Sequence, residues 1–119
     1  MRRFDSLQVW ERSHAVVLDV YRLTRSFPAQ ERYGLTSQIR RAAVSVPTNI
    51  AEGSKRSSQR DFAHFLNIAE GSLAEVGYLV VLARDLGYMD PADARRIGAE
   101  AEEILRMLAV LRKKVEGAK

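Results

Sequence analysis

The sequence predicts an all-α protein, an antiparallel up-down-up-down four-helix bundle formed by residues 1–119 as a single domain. Three observations predict it. Only three prolines and seven glycines punctuate the 119 residues, and they divide the chain into four long segments. Within the segments apolar residues recur at steps of three and four, the period of one helical face, and nowhere do they alternate with the period of a strand. The connections are short, which makes consecutive helices antiparallel neighbours.

The first segment runs from about Ser6 to Ser26 and stops before Phe27-Pro28. At 100° per residue, Leu7, Trp10, His14, Val17, Leu18 and Tyr21 share one arc, and Val9, Val16, Val20 and Leu23 share a second beside it. Together the arcs cover about 220°, roughly twice what a surface helix needs. A four-helix protomer has little material to bury both, so the second arc is expected to meet another subunit. The second segment runs from Glu31 or Leu35 to about Ser54, with the stripe Leu35, Ile39, Ala42, Ala43, Val46 and Ile50. Pro47 lies inside it, lacks a backbone donor and crowds the carbonyl of Ala43, which predicts a kink.

The third segment opens at Ser58, with Asp61 at capping-box spacing, and closes at Gly87. Its stripe is Phe62, Phe65, Leu66, Ala69, Leu73, Val76, Val80 and Ala83. The fourth opens with Asp90 as N-cap and Pro91 at the first helical position, and runs to about Glu116. Its stripe is Ala94, Ile97, Ala101, Ile104, Leu108, Leu111 and Val115.

Composition removes several function classes. The chain has 46% hydrophobic and 29% charged residues, ordinary for a globular domain and unlike a disordered tail. There is no cysteine, so disulfides, cysteine-bound zinc, iron–sulfur clusters and thiol catalysis are out of reach. No apolar run is expected to reach the roughly 18–20 residues that span a bilayer. The opening Met1-Arg2-Arg3-Phe4-Asp5 lacks the apolar core of a secretion signal, so a cytoplasmic protein with no membrane partner is expected.

The formal net charge of +4 is unevenly placed. The predicted topology brings together the start of helix one, the turn between helices two and three, and the end of helix four. That end carries Arg2, Arg3, Lys55, Arg56, Arg60, Arg112, Lys113, Lys114 and Lys119 against Asp5, Glu52, Asp61 and Glu116. Such a basic end would bind nucleic acid through phosphates, in a salt-dependent and sequence-independent way. Cations near a helix C-terminus also favour the helix dipole, so Arg112 to Lys114 have a purely structural reading as well. Only Phe4 is aromatic nearby, so no stacking platform for bases is expected at this end.

Enzymatic motifs are missing. There is no glycine-rich phosphate loop and no G-x-S-x-G turn. A di-iron bundle would need Glu-x-x-His on two helices. Glu11-Arg12-Ser13-His14 fits, but His64 of Asp61-Phe62-Ala63-His64 points about 160° from its helix's apolar face. No catalytic, cofactor-binding or metal-binding residue is therefore assigned. Along one edge of helix two, Gln38, Ser45, Asn49 and Glu52 step by seven, four and three, and Ser72 and Glu75 border the stripe of helix three. These are expected to form a hydrogen-bonded network with Arg41 within reach, holding the two helices in register.

The stretch Ser45-Val46-Pro47-Thr48-Asn49-Ile50-Ala51-Glu52-Gly53 resembles the signature of the bacterial four-helix bundle proteins, also called 23S ribosomal RNA intervening-sequence proteins. The resemblance extends to Phe4–Leu7 with Val9-Trp10, to Phe27-Pro28, Glu31, Tyr33–Ala42, Phe62–Leu66, Gly71–Glu75 and Leu86-Gly87-Tyr88. It implies an antiparallel four-helix bundle and ring-shaped homopentamers. Some members are encoded in sequences inserted in bacterial 23S ribosomal RNA genes. A related small bundle is the accessory protein of diversity-generating retroelements, where it partners a reverse transcriptase and binds nucleic acid. The resemblance carries no catalytic residues.

Two readings follow. In the first, a non-enzymatic homo-oligomer binds RNA or a ribonucleoprotein through Arg2, Arg3, Lys55, Arg56, Arg60, Arg112, Lys113 and Lys114, with Val9, Val16, Val20 and Leu23 at the subunit interface. In the second, the oligomer is a scaffold that docks a protein partner and binds no nucleic acid specifically.

Overall fold

The computed structural model describes residues 7–117. It contains four α-helices, α1 Gln8–Thr24, α2 Leu35–Ser54, α3 Gln59–Asp85 and α4 Pro91–Gly117, with one 3₁₀ turn at Ala29–Glu31 between the first two. They form a rod 48 × 23 × 20 Å. Each helix packs on its neighbours in sequence, and α1 closes the ring against α4. Side-chain pairs give the direction. Across α2 and α3 they run Gln38–Glu75 then Ser45–Ser72, and across α1 and α4 they run Arg12–Glu100 then Asp19–Arg96. Partner numbers fall on one helix as they rise on the other, as in an antiparallel bundle.

The expected stripes of α2, α3 and α4 build the core. Ile39, Ile50, Leu66, Leu73, Ile97, Ile104 and Leu108 are fully buried, while Phe65 and Leu111 lie half-buried at its margin. By length and composition α3 is apolar enough to cross a membrane, contrary to the expectation that no segment is. Nine of its residues, from Phe62 to Ala83, are buried in the bundle.

The reading of α1 needs correction. Val9, Val16 and Val20, expected to meet another subunit, are at most 5% exposed and face the core of their own bundle, and Leu23 is half-buried against it. The arc left outside is the larger one: Leu18 is 58% and Tyr21 41% exposed, and His14 is exposed and stacked on Trp10. Ser13 and Thr24 complete the buried arc. Each donates its hydroxyl inside the helix, Ser13 to the Val9 carbonyl and Thr24 to the Val20 carbonyl, both at 2.7 Å, and Thr24 Oγ1 also accepts from Arg40 Nε of α2 at 2.8 Å. Buried in this way, a hydroxyl costs little and leaves the surface as narrow as that of a valine.

Helix ends follow local chemistry. Ser58 Oγ accepts the Asp61 N–H at 3.0 Å, the predicted cap of α3. Gly87 has φ of +80°, where a side chain would be strained, and ends α3. Its N–H donates to the Arg84 carbonyl, and that of Tyr88 to the Ala83 carbonyl, which together close the helix in a Schellman turn. The α2 start is capped from a distance. Glu31 Oε1 accepts the Leu35 N–H at 3.0 Å while Oε2 accepts the Tyr88 hydroxyl at 3.1 Å. One carboxylate thus ties the α1–α2 connection to the α3–α4 connection. The hydrogen bond to Glu31 also holds the Tyr88 phenol above its usual pKa.

α2 continues through Pro47, which is buried. Proline leaves the Ala43 carbonyl without its usual donor and crowds that turn. The next two residues supply side-chain donors there: Thr48 to the Val44 carbonyl and Asn49 to the Ser45 carbonyl, both at 2.7 Å.

Ion pairs fasten α1 to α4. Arg12 grips Glu100 through two nitrogens, at 2.9 and 2.6 Å, and Asp19 bridges Arg22 and Arg96. Partial burial pushes the Asp19 carboxyl up, but hydrogen bonds from Arg22 and Arg96 outweigh it and hold the pKa below the ordinary 3.8. A lowered folded-state pKa stabilises above the unfolded value, and that stability disappears as pH falls through the folded value. Asp19→Asn should therefore lower stability by about 0.2–1 kcal/mol near neutrality. The difference from the parent chain should shrink progressively below pH 3.8, which melting curves across an acid pH series would show.

Candidate nucleic-acid interface

The α2–α3 connection and the last turns of α4, expected to share one basic end, lie side by side. α2 ends at Ser54, a short turn carries Lys55 and Arg56, and α3 begins at Gln59. The antiparallel register then sets the last turns of α4 beside the first turns of α3. Between them lies an open cleft of about 670 Å³, whose lining includes Gln59, Arg60, His64, Asn67, Arg112 and Glu116. The turn is held close to α3 because α2 crosses it at Gly53. A Cβ there would sit 2.7 Å from Phe65 Cβ and 3.0 Å from Phe62 Cδ1.

The cations differ in how much charge they offer. Lys55, Arg60 and Lys113 are exposed and form no ion pair among the described residues. Arg56 is exposed with its guanidinium over the Phe65 ring, 4.6 Å from the centroid, and 3.8 Å from Glu52. At that separation Glu52 neutralises only part of the charge. Arg112 departs from expectation. Its Nε donates to Glu70 at 2.5 Å and Nη1 to Glu116 at 3.4 Å, and its side chain is only 23% exposed. Its charge is spent in joining α3 to α4, and the hydrogen bond to Glu70 raises its pKa further. Lys114 is exposed but lies on the other side of α4, bordering an apolar groove with Leu7, Met107, Val110 and Leu111. Arg2 and Arg3 lie outside the described residues.

His64 and Asn67 were not expected at this end. His64 does point away from the core, and that direction places it on the cleft. Arg60, His64 and Asn67 step by four and three, so they form a polar stripe on α3, readable as an interface only once α4 is known to lie alongside.

The polar edge of α2 largely forms the predicted network. Gln38 Nε2 donates to Glu75 at 3.3 Å, Ser45 and Ser72 hydroxyls meet at 2.8 Å, and Asn49 Nδ2 donates to Ser45 Oγ at 3.0 Å. Arg41 stands at the edge of this cluster without a hydrogen bond among the described residues. Glu52 does not join it and faces Arg56.

The architecture defines a class, the small antiparallel four-helix bundle with one basic end and a polar seam between its second and third helices. The sequence model of the 23S rRNA-intervening sequence protein family matches residues 5–110, and the chain belongs to that family. Among solved structures it is similar to a protein of unknown function from the S23 ribosomal protein family of Bacteroides thetaiotaomicron. The two share 25% identity with a TM-score of 0.82, over 88% of this chain and 98% of the other. No curated protein matches the chain.

Proposed function

We propose that the protein is a non-enzymatic homo-oligomer of the cytoplasm that binds RNA or a ribonucleoprotein through its basic end. The observation that carries the reading is the group of Lys55 and Arg56 on the α2–α3 turn with Arg60 in the first turn of α3. All three are exposed, and among the described residues only Arg56 of the three forms an ion pair, with Glu52 at 3.8 Å. Lys55 and Arg60 have no internal ion pair among the described residues to break on meeting phosphates, and Arg56 has only its long contact with Glu52.

Self-association rests on the outer arc of α1, where Leu18 and Tyr21 expose a large apolar surface beside Trp10 and Val17. Five copies, the number the family resemblance implies, would repeat the basic end around a ring and convert weak contacts into avidity. No cofactor or metal enters the proposal.

The triple substitution Lys55→Ala, Arg56→Ala and Arg60→Ala tests it. All three side chains are exposed, so the fold should survive. Binding to many RNA sequences should weaken alike, and the slope of log affinity against log salt should flatten by about 3. An unchanged slope would remove this end from the interface. The second reading, a protein-docking scaffold, draws support from the apolar groove of about 410 Å³ lined by Leu7, Met107, Val110 and Leu111. Negligible RNA binding at low salt would favour it.

A further inference from the structure

We propose that the polar seam between α2 and α3 is a pocket for one unpaired nucleobase, so that the protein holds a base there while its basic end holds phosphates. The inference deepens the nucleic-acid reading above and rests on it. The seam opens into a cleft of about 480 Å³ lined by Tyr33, Ser37, Gln38, Arg41, Ser45, Ser72 and Glu75, among others. Its size suits one planar ring system with part of a sugar.

The hydrogen bonds of the seam do not exhaust its groups. Asn49 donates to Ser45 Oγ, and the Ser45 and Ser72 hydroxyls share a single hydrogen bond, so one hydroxyl hydrogen of the pair is left to donate elsewhere. Gln38 spends its amide N–H on one oxygen of Glu75, which leaves the other Glu75 oxygen and the Gln38 carbonyl as acceptors. Arg41 and the Ser37 hydroxyl make no hydrogen bond among the described residues. Donors and acceptors therefore line one cleft, as the edge of a nucleobase requires.

Two further features select a base over a phosphate or an apolar peptide. The Glu75 carboxylate repels an anion, and the lining offers little apolar surface beyond Ala42 and the Tyr33 ring. That ring is 90% exposed at the rim, with the Arg32 guanidinium 5.9 Å from its centroid. An exposed aromatic ring backed by a cation is a stacking surface for an unpaired base. This is the aromatic partner that the basic end lacks. Arg41 and Lys55 lie about 21 Å apart along α2, a span that a short single strand can bridge.

The test compares a single-stranded RNA hexamer with an RNA duplex, each labelled and titrated by fluorescence anisotropy, on the parent protein, Tyr33→Ala, Gln38→Ala and the basic-turn triple variant. Both positions are exposed and neither substitution changes a charge, so the salt slope should hold; Tyr33→Ala should also keep its melting temperature, while that of Gln38→Ala, which loses the bond to Glu75, is read beside its binding. Each should weaken single-strand binding by about tenfold and leave duplex binding unchanged. The triple variant should weaken both RNAs. Unchanged hexamer affinity in both cleft variants, with the triple variant still impaired, would reduce the seam to a tie between helices and leave the basic end standing. Equal losses on hexamer and duplex in the cleft variants would also overturn the pocket. Binding of neither RNA by the parent protein would overturn the nucleic-acid reading itself.

Discussion

Val20→Asp is expected to abolish the cooperative fold, whereas Leu18→Asp, two residues away, should leave the chain folded and alter only its association. Val20 is 0% exposed and belongs to the hydrophobic core, so a carboxylate there would be desolvated. An uncompensated buried charge costs about 3–5 kcal/mol, a large share of the 5–15 kcal/mol that holds a small domain together. Leu18 is 58% exposed, and its replacement removes no core contact. If the outer arc of α1 joins subunits, Leu18→Asp should shift the native mass toward the protomer while the melting transition stays cooperative. Native mass spectrometry beside thermal denaturation reads both effects. An assembled mass unchanged by Leu18→Asp would place the interface on another face. A fully stable Val20→Asp would contradict the packing of α1 described here.

Gly53→Ala should be the most damaging single-methyl change in the chain. The new Cβ would lie 2.7 Å from Phe65 Cβ, an atom fixed to the backbone, and 3.0 Å from Phe62 Cδ1. Neither helix can clear it by turning a flexible side chain, so α2 and α3 must separate beside the turn. Overpacking of this kind costs about 1–3 kcal/mol, and for a chain of this size the melting temperature should fall by roughly 5–15 °C. Because the turn carries Lys55 and Arg56, the displacement should also weaken RNA binding. Gly71→Ala is the matched control. Nothing lies within 4 Å of its added Cβ, so the better helix former should be neutral or stabilising by up to about 1 kcal/mol. A destabilising Gly71→Ala with a neutral Gly53→Ala would reverse the assignment of the close helix crossing.

The contrast between Val20 and Leu18 also shows where sequence reasoning was sufficient and where it was not. In α2, α3 and α4 one apolar stripe stands against a polar face, so the period alone identifies the core. In α1 two arcs compete. The larger residues Trp10, Leu18 and Tyr21 suggest the core, while Ser13 and Thr24 interrupt the arc that is actually buried. Their hydroxyls bond to carbonyls of their own helix, a local solution that residue type does not reveal. The polar seam was legible because Gln38, Ser45 and Asn49 keep helical spacing beside a stripe. The fate of Arg112 was not, because its partner Glu70 is 42 positions away and is brought near only by the register of α3 against α4. The cap of α2 was hidden for a related reason. Glu31 reaches forward past Gly34, a position where a Cβ would lie 2.8 Å from the Glu31 Oε1.

The most direct test of the central claim is equilibrium binding of a structured RNA and of duplex DNA across a salt series, with the native mass of the protein checked in each buffer. The account predicts an assembled oligomer whose RNA affinity falls steeply as salt rises, with a slope that counts the phosphate contacts. An assembled oligomer that binds neither nucleic acid at low salt would contradict it, and the cations of the α2–α3 turn would then be no more than a solvated helix connection.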